Sequence, residues 1–597
     1  MRAFRLTNLI LILIALICAP MSEAAGTPRG QSGVPSRAAR LGCHTAWGAG
    51  SEAPAEQRAT RGPHAGSPRG VVIDRIELMP RKPSPFVMKD WKALAQAYDR
   101  FIFDFNAKGE YLPVIWWDNS RPNFDRVTFG LPSYVGDPRV TRTEHEAITC
   151  MGAVLGATIA GIDKARGPYN WVLMVEQYFN RKNGENLVLN RTSTQSGQTF
   201  WYEVWPHVLF YALVDRYPNT GRMESIMRTT ADRWYDACYH MGGKNGTADF
   251  DHTAFDFNTM QPVDNGKWKE PDAAAGIGWL EYMAWVKWRS PKYLQAADWS
   301  MQFLHNRKEN PHYEILMPYG AYLAARINGE LGRKYDVHKL VTWCFDESKA
   351  RPGWGTIAEN WGGHDCHGLV GSITDGGGYA FAMNTFATAG ALVPLVRYDD
   401  RYSRAIGKWM LNAANSARLF YGDAHSDDHQ SSAFWKYDPG VIAYEGLRKE
   451  WKGKSPYATG DPIRLGWGPT DLALYGASYV GFFGGIVRNT NVEMILQLDC
   501  LATDFFHDRA YPTYLYYNPY DTTKEVQINV GPEVRDLYDA ATDVFLKKNV
   551  KGVSSYPLAA NTAVVVVVAP AGGTITQKGN KRLINGVAVD YVNSSSP

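Results

Sequence analysis

Carboxylate and imidazole side chains, the groups that proteins use for general acid–base chemistry, concentrate in a few short segments of this 597-residue chain. The densest segment lies between residues 354 and 379 and is rich in glycine, which allows the backbone to approach a ligand closely. Its candidate side chains are Glu359, Trp361, His364, Asp365, His367, Asp375 and Tyr379. We predict a catalytic loop here, and the alternative is a structural glycine-rich turn.

A second acidic group, Glu270 and Asp272, flanks Pro271 where an apolar helix is predicted to begin. Because carboxylates favour helix N-termini, a structural N-cap explains Asp272 equally well. Glu270 precedes the proline and is the better catalytic candidate. We therefore predict Glu270 or Asp365 as the general acid and Asp375 or Asp272 as the general base.

Two further segments, at 112–119 and 200–207, place aromatic rings beside polar side chains. Ring faces are flat and apolar with polar edges, which suits the binding of sugars, whereas the alternative is a buried aromatic core. Pro206 predicts a helix start in the second segment, because proline is disfavoured inside helices. The candidate binding residues here are Trp116, Trp117, Asp118, Trp201, Tyr202, Glu203 and His207, and further candidates are Glu314, Tyr319, Asn384 and Arg397.

The residue types of a metal site and of a phosphate site are present without the spacing that such sites need. The run His364-Asp365-Cys366-His367 lacks a second, distant pair of ligands that would close a tetrahedron. The glycines at 376–378 lack the preceding strand and the Lys-Ser/Thr pair of a phosphate-binding loop. We expect no metal and no cofactor.

Composition and charge exclude several classes of protein. Hydrophobic residues make up 45% of the chain, which is enough for a large core, so wholesale disorder is excluded. A formal charge of +3, from 63 basic and 60 acidic residues, does not favour a nucleic-acid binder. The cysteines are scattered without a C-x-x-C pair, so buried thiols are the expectation.

The first 25 residues have the pattern of a secretory signal peptide. A basic start precedes an apolar run at 9–17, and small residues suited to cleavage follow at Ser22 and Ala24. The apolar run is shorter than the roughly 18 residues that a membrane span needs. Residues 26–70 are rich in Gly, Pro, Ser, Ala and Arg, which predicts a disordered linker. We therefore expect a secreted or periplasmic protein without a membrane span.

Residues 71–489 show helical periodicity, with apolar residues recurring every three or four positions. The predicted helices cover residues 91–105, 144–162, 171–178, 201–214, 222–239, 273–288, 294–304, 315–331, 337–344, 381–396, 404–420 and 472–487. After residue 490 the period changes to two, as in Val526–Val530, and the β-branched run Val564–Val568 follows. This change predicts a C-terminal antiparallel β-sandwich domain at 490–597.

The predicted helices pair into six hairpins, and this arrangement followed by a β-sandwich resembles the (α/α)6 toroids of secreted glycoside hydrolases and polysaccharide lyases. An irregular helical domain or an α-solenoid is the alternative, and no fixed-period repeat favours the solenoid. The resemblance implies that loops at one rim of the toroid form the substrate cleft. It also implies an inverting outcome, because hydrolases of this kind are frequently inverting.

The residues and the resemblance together predict a secreted glycoside hydrolase that cleaves a polysaccharide or oligosaccharide with two carboxyl groups. One alternative is a polysaccharide lyase, which needs a His or Tyr base and groups that neutralise a uronate. The lyase candidates are His207, His252, Tyr319, Tyr379, Asn384 and Arg397. The other alternative is a glycan-binding protein without activity. In each case the expected partner is a glycan.

Overall fold

The structure is a computed structural model that describes residues 70–137, 144–349, 351, 353–374 and 377–592. The predicted signal peptide, the predicted linker before residue 70 and the catalytic candidate Asp375 lie outside the described residues. Within the described part of the chain, no helix combines the length and the apolar character that crossing a membrane requires.

Helices dominate residues 74–486, because the apolar residues there recur at helical spacing. In chain order they are α1 (Asp74–Glu77), α2 (Trp91–Ile102), α3 (Ala147–Ile159), α4 (Trp171–Met174), α5 (Phe200–Arg216), α6 (Met223–His240), α7 (Ala273–Trp288), α8 (Pro291–Asn306), α9 (Leu316–Leu331), α10 (Val337–Phe345), α11 (Ala382–Leu395), α12 (Ser403–Ser416), α13 (Asp461–Leu465), α14 (Leu474–Ala477) and α15 (Val480–Ile486). Short 3₁₀ helices lie at Val175–Tyr178, Arg181–Asn183, Gly243–Asn245, Asp400–Tyr402, Ala417–Phe420, Gly422–Ala424 and Asp427–His429.

Six helices contact one another in cyclic order, namely α3, α5, α7, α9, α11 and α15, and α15 in turn contacts α3. Most residues of α7 and α9 are buried, as expected for helices that are apolar on all sides. The helices α2, α6, α8 and α10 pack outside this cycle. We call the six helices of this cycle, each in contact with its two neighbours, the inner ring.

The inner ring closes where α3 and α15 approach with their backbones in contact. A Cβ atom on Gly156 would collide with the carbonyl oxygen of Ser478. A Cβ atom on Gly481 would collide with the carbonyl oxygen of Gly156. Glycine at both positions therefore allows the approach that completes the ring.

Pro206 lies inside a helix, which corrects the expectation that it marks a helix start. It is the seventh residue of α5, which continues to Arg216. Proline has no N–H to donate to the carbonyl one turn earlier, so it normally weakens a helix interior. Tertiary packing outweighs that loss here, because α5 is buried along most of its length.

The segment predicted as one helix at 472–487 is divided into α14 and α15. The residues at the break, Ser478 and Tyr479, make tertiary hydrogen bonds. The Ser478 hydroxyl pairs with the Tyr98 hydroxyl at 2.9 Å, and the Tyr479 hydroxyl donates to the Ile148 carbonyl oxygen at 3.0 Å. These bonds tie the break to α2 and α3.

Strands are short among the helices and longer near the C-terminus. They are β1 (Trp116–Asp118), β2 (Thr128–Gly130), β3 (Ala254–Asp256), β4 (Gln261–Val263), β5 (Trp354–Thr356), β6 (Asn360–Trp361), β7 (His364–Asp365), β8 (Val370–Ser372), β9 (Tyr379–Phe381), β10 (Gly446–Arg448), β11 (Tyr457–Thr459), β12 (Val487–Asn489), β13 (Leu496–Asp499), β14 (Thr513–Tyr517), β15 (Lys524–Asn529), β16 (Arg535–Asp539), β17 (Val544–Val550), β18 (Val553–Leu558), β19 (Ala563–Pro570), β20 (Ile575–Lys578), β21 (Lys581–Ile584) and β22 (Val587–Tyr591).

These strands pair in antiparallel fashion into several small sheets. A five-stranded sheet has the order β11-β10-β9-β8-β5, and its strand β9 leads directly into α11. A six-stranded sheet has the order β12-β13-β14-β19-β16-β17. The smaller sheets are β1-β2, β3-β4, β6-β7, β15-β18 and β20-β21-β22.

The valine run in β19 is buried on both faces of the six-stranded sheet. Val565 and Val567 belong to the core that contains the helices. Val564, Val566 and Val568 belong to a second core, shared with the β15–β18 pair. Period-two alternation therefore directs one face of β19 to each core. The domain bounds 71–489 and 490–597 stay predictions.

Candidate functional site

Acidic side chains lie at the N-terminal ends of four helices of the inner ring. They are Glu146 before α3, Glu203 in the first turn of α5, Glu270 and Asp272 before α7, and Glu314 before α9. Helix N-termini carry partial positive charge, which favours carboxylates there. Burial, and then the charge of Glu270, raises the pKa of both Glu203 and Glu314, so these groups lie near one another.

Glu270 is a fully bonded carboxylate that joins the starts of α5 and α7. It accepts hydrogen bonds from the Thr199 hydroxyl at 2.6 Å, the Trp201 N–H at 2.8 Å and the Arg351 guanidinium at 3.0 Å. Only 2% of the residue is exposed. Burial raises its pKa, although Arg351 favours the charged form. The carboxylate is thus shielded from a ligand in this conformation.

Asp272 occupies the N-cap position of α7, but its side chain makes no capping hydrogen bond. It accepts from the Tyr313 N–H at 3.2 Å, and 1% of the residue is exposed. Burial, and then the charge of Glu270, raises its pKa well above the usual value. A carboxyl group that retains its proton is poorly suited to act as a general base.

Glu314 is half-buried, in contrast to Glu270 and Asp272. Its φ of 54° lies in the left-handed region, which costs a residue with a side chain about 1–2 kcal/mol. Burial raises its pKa to about 7, while Tyr313, Arg351 and Trp201 oppose the shift. Such strain clusters at functional sites. Sequence reasoning placed Glu314 among the binding candidates, and no local motif signals its backbone conformation.

Glu146 is a second half-buried carboxylate, and sequence reasoning missed it. The Ser133 hydroxyl donates to it at 2.6 Å, and the Arg191 guanidinium lies 3.5 Å away. Burial chiefly raises the pKa of the Tyr479 hydroxyl, and the charges of Glu146 and Glu314 add to that shift, so both carboxylates lie near it. We call the end of the inner ring formed by the N-termini of α3, α5, α7 and α9 the ring mouth. Since α3 and α9 are opposite in the cyclic order, Glu146 and Glu314 lie at this end on opposite sides of the ring.

Aromatic rings flank these carboxylates on the α5 side. Trp201 and Tyr202 are stacked, with ring centroids 5.7 Å apart and planes inclined by 12°. Trp201 is buried, whereas Tyr202 is half-buried. Tyr319 packs edge-on against Trp205 at 5.5 Å and belongs to the core beneath. The predicted α5 aromatic segment therefore lies at the ring mouth, with Tyr202 its more exposed ring.

The other predicted aromatic segment forms a ring stack beside α4. Trp117 is half-buried and stacks on Phe105 at 4.2 Å and on Trp171 at 6.1 Å. Trp116 is buried and lies 6.0 Å from the imidazole of His145. Other rings thus already cover the face of Trp117, as the alternative of a buried aromatic core expects.

Asp118 belongs to a buried chain of hydrogen bonds with His145 and Tyr178, and His145 is the residue that precedes Glu146. The Asp118 carboxylate bonds to His145 Nε2 at 3.0 Å, and His145 Nδ1 bonds to the Tyr178 hydroxyl at 2.5 Å. Burial lowers the pKa of His145, but the hydrogen bond that Asp118 accepts from His145 outweighs burial and contributes to a pKa of about 9. The same bond lowers the pKa of Asp118. An ion pair therefore holds the residue that precedes Glu146.

We expect Asp118→Asn to destabilise the protein by about 3 kcal/mol at pH 6, because the pKa shift of His145 corresponds to roughly that energy. A raised His pKa gives stabilisation that is complete below pH 6.5 and is lost as the pH rises through about 9. The difference in urea unfolding free energy between wild type and variant is therefore expected to shrink from pH 6 to pH 9.5. The exposed Asp508→Asn is the control, and a pH-independent difference would contradict the ion pair.

Another buried acid, Glu445, lies directly before strand β10 of the five-stranded sheet, and sequence reasoning missed it as well. The Tyr379 hydroxyl donates to it at 3.0 Å, and the Tyr134 hydroxyl donates to its other oxygen. Burial, and then the charge of Asp461, raises its pKa to about 8. Burial chiefly raises the pKa of Tyr475. The charges of Glu445 and Glu314 add to that rise, so the Tyr475 hydroxyl lies near both carboxyl groups.

The glycine-rich loop after β5 has its own contacts. Asp365 is buried and bonds to His367 Nδ1 at 2.7 Å, and the buried Trp361 donates to Glu359 at 2.9 Å. The half-buried His364 lies with its ring 6.2 Å from that of His425. The described partners of Asp365 thus lie within the loop. Its catalytic role and that of Asp375 stay predictions.

Several predicted site residues have structural partners. Glu203 accepts from the N–H groups of Gly197 and Phe255, and His207 accepts at Nε2 from the Val188 N–H, with a pKa lowered to about 3 by burial. Arg397 follows the C-terminal end of α11 and pairs with buried Asp504, away from the helix N-termini. Asn384 is fully buried in α11 and has no hydrogen-bond partner among the described residues.

Comparison with known proteins finds no matching family model and no matching curated protein. Among solved structures, a D-mannose isomerase is similar at 10% identity and a TM-score of 0.38, over 66% of this chain and 96% of that one. A possible GH105 family member from Salmonella enterica is similar at 14% identity and 0.34, over 68% and 95%. An unsaturated glucuronyl hydrolase from a Bacillus species is similar at 11% identity and 0.26, over 56% and 96%. The activities in these names are those of the named proteins.

Proposed function

We propose that this chain is a glycoside hydrolase in which Glu314 is the general acid and Glu146 is the general base. The observation that carries the proposal is the pair itself: two half-buried carboxylates at the mouth of the inner ring, one with its pKa raised to about 7. Glycosidic cleavage needs one protonated carboxyl group on the leaving oxygen and one ionised carboxylate opposite it. Glu314, with its pKa raised to about 7, supplies the protonated form near neutral pH, and Glu146 is the second carboxyl group that the reaction needs.

Exposure favours Glu314 over the acids predicted from the sequence. Glu270 and Asp272 are buried, so neither presents an oxygen to a ligand, although Asp272 Oδ1 has no hydrogen-bond partner among the described residues. They support the site in another way. The charge of Glu270 helps to keep Glu314 protonated, and Arg351 connects these carboxyl groups electrostatically. We therefore assign Glu270 and Arg351 as positioning residues.

The proposed reaction is a single displacement by water. Glu146, held by Ser133 and Arg191, takes a proton from a water molecule. The oxygen of that water forms a bond to the anomeric carbon at the same time. Glu314 gives its proton to the glycosidic oxygen as the bond from that oxygen to the anomeric carbon breaks. Tyr202, stacked on Trp201, offers a ring face to the sugar. A single displacement of this kind inverts the configuration of the anomeric carbon.

The architecture and location that go with this function are also part of the proposal. The cyclic contacts of the inner ring support an (α/α)6 toroid. The two cores that share β19 support a C-terminal β-sandwich. The signal pattern in the first 25 residues supports export.

The lyase alternative is less well supported by these contacts. A lyase needs a Tyr or His that is present in its unprotonated form and can take the proton from C5 of the uronate. Burial raises the pKa of Tyr319 and Tyr379, and His207 lies in the core. His252 is bonded toward Asp264 at 3.3 Å on the α7 loop. Among these candidates only His252 is half-buried, as Glu314 is, and its imidazole is bonded toward Asp264.

We expect the purified chain to release reducing ends from at least one of six soluble polysaccharides without a rise in unsaturated-uronate absorbance. The panel is carboxymethylcellulose, xylan, barley β-glucan, laminarin, polygalacturonate and hyaluronan, with both signals read from the same reactions. A rise in absorbance would instead identify a lyase. Retention by a polysaccharide without either signal would identify a binding protein.

A further inference from the structure

The turn at 431–440 exposes two aromatic rings on the surface of the protein. Phe434 is 62% exposed and Tyr437 is 75% exposed, and they are three residues apart. Trp435 between them is only 3% exposed. Burial of the central ring directs its neighbours outward, and exposed apolar rings grouped in this way mark interaction sites.

This turn is held in place by several contacts. Trp435 packs edge-on against Phe101 at 6.4 Å and Tyr111 at 6.0 Å. The ammonium of Lys436 lies over the Tyr437 ring at 4.5 Å and is paired with Asp427. The exposed rings are therefore presented by an anchored turn, which lowers the entropy lost when a ligand binds.

The turn is continuous with the proposed cleft. Phe101 lies near the C-terminal end of α2, the helix that precedes α3 and Glu146. A Cβ atom on Gly136 would touch Tyr111 and Pro469, and Tyr111 touches Trp435. From Gly136 the chain runs back to Ser133, which bonds to Glu146, over at most about 10 Å.

A third ring lies along this path. Trp467 is half-buried and packs edge-on against Tyr134 at 5.3 Å. Tyr134 in turn bonds to Glu445. The turn with Phe434 and Tyr437, through Tyr111, and Trp467, through Tyr134, therefore both pack near the segment 134–136, which follows Ser133, the partner of Glu146.

We propose that Phe434, Tyr437 and Trp467 form a stacking subsite for a glycan polymer that extends beyond the cleft. The inference rests on the proposed function and names its substrate class as a polymer. The apolar faces of sugar rings stack on aromatic side chains, and three rings near the segment 134–136 suit a chain of sugars. A short oligosaccharide bound at Glu314 and Glu146 would leave Phe434 and Tyr437 uncovered.

The test is affinity electrophoresis of the full chain through native gels that contain each of the six polysaccharides named above. We expect at least one gel to retard the wild type and the Phe434→Ala/Tyr437→Ala double variant to bind about tenfold more weakly in it. The control is Tyr239→Ala, which removes a 43% exposed ring on α6. Equal retardation of wild type and double variant, or no retardation of the wild type in any gel, would overturn the subsite.

Kinetics separate this inference from the proposed function. With the polysaccharide that is cleaved fastest, we expect the double variant to raise KM about tenfold for the polymer and to leave the rate on its trisaccharide unchanged. Cleavage with equal KM values would overturn the subsite and leave the hydrolase intact. Retardation without cleavage would overturn the hydrolase and leave the subsite intact. Self-association of the wild type that the double variant abolishes would assign the rings to a protein interface instead.

Discussion

Glu314→Gln lowers turnover by about 10²- to 10⁴-fold if Glu314 is the general acid, because glutamine keeps the shape of the side chain and has no proton to donate. We expect the melting temperature to change little. The carboxyl group is half-buried with a pKa raised to about 7, so at neutral pH it is divided between two protonation states, and a neutral amide replaces it at small cost. Turnover and melting temperature are measured on the same preparation.

The pH profile provides the independent readout for Glu314. A general acid with a pKa of about 7 is lost as the pH rises above that value, so kcat/KM of the wild type is expected to fall on the alkaline side. The residual activity of Glu314→Gln is expected to lack this alkaline limb. The exposed Glu309→Gln, five residues away, is the matched control. Unchanged turnover in Glu314→Gln would remove Glu314 from the mechanism.

Arg326→Met lowers the free energy of unfolding by about 3–5 kcal/mol, because it removes one partner from a buried charged network. Arg326 is 1% exposed near the C-terminal end of α9. Its guanidinium donates to the carbonyl oxygens of Phe505 at 2.8 Å and Phe506 at 2.7 Å and bonds to Glu330 at 3.0 Å. The variant leaves these acceptors unpaired.

Urea unfolding of Arg326→Met also tests whether the C-terminal strands depend on the helices. Residues 504–506 belong to the predicted C-terminal domain, and Arg326 joins them to the inner ring at the end opposite Glu314. Arg333→Met is the control, because the Arg333 side chain is 46% exposed and exposed ion pairs contribute about 0–1 kcal/mol. A loss in Arg326→Met no larger than in the control would mean that this network does not stabilise the junction.

Local patterns in the sequence were sufficient to predict most of the helices and a few of the C-terminal strands. The apolar spacing at 315–331 predicted α9, and Gly332 ends it in the left-handed conformation expected of a glycine after a helix. The alternation at Val526–Val530 predicted β15. Such periodicities record which face of an element is buried, and so they survive without knowledge of its partners.

Prediction from the sequence was less successful where distant segments meet. The polar residues of α12 suggest a solvent-exposed face, yet most of α12 is buried. Asn412 donates to the Pro80 carbonyl oxygen at 3.0 Å, and Asn415 donates to the Pro85 carbonyl oxygen at 3.1 Å. Backbone groups from more than 300 residues away therefore satisfy this face, and no local pattern contains that information.

The candidate site also combines features that local sequence patterns show with features that only the tertiary structure decides. Its residue types, namely carboxylates beside indoles at helix starts, were evident in the chain, and Glu270, Asp272, Trp201 and Glu314 were found from them. Which carboxyl groups stay partly exposed was decided by tertiary structure, because the packing of the helices buries Glu270 and Asp272 and leaves Glu314 and Glu146 half-buried. Burial then sets the pKa of Glu314, and burial is a property of the assembled ring rather than of any segment.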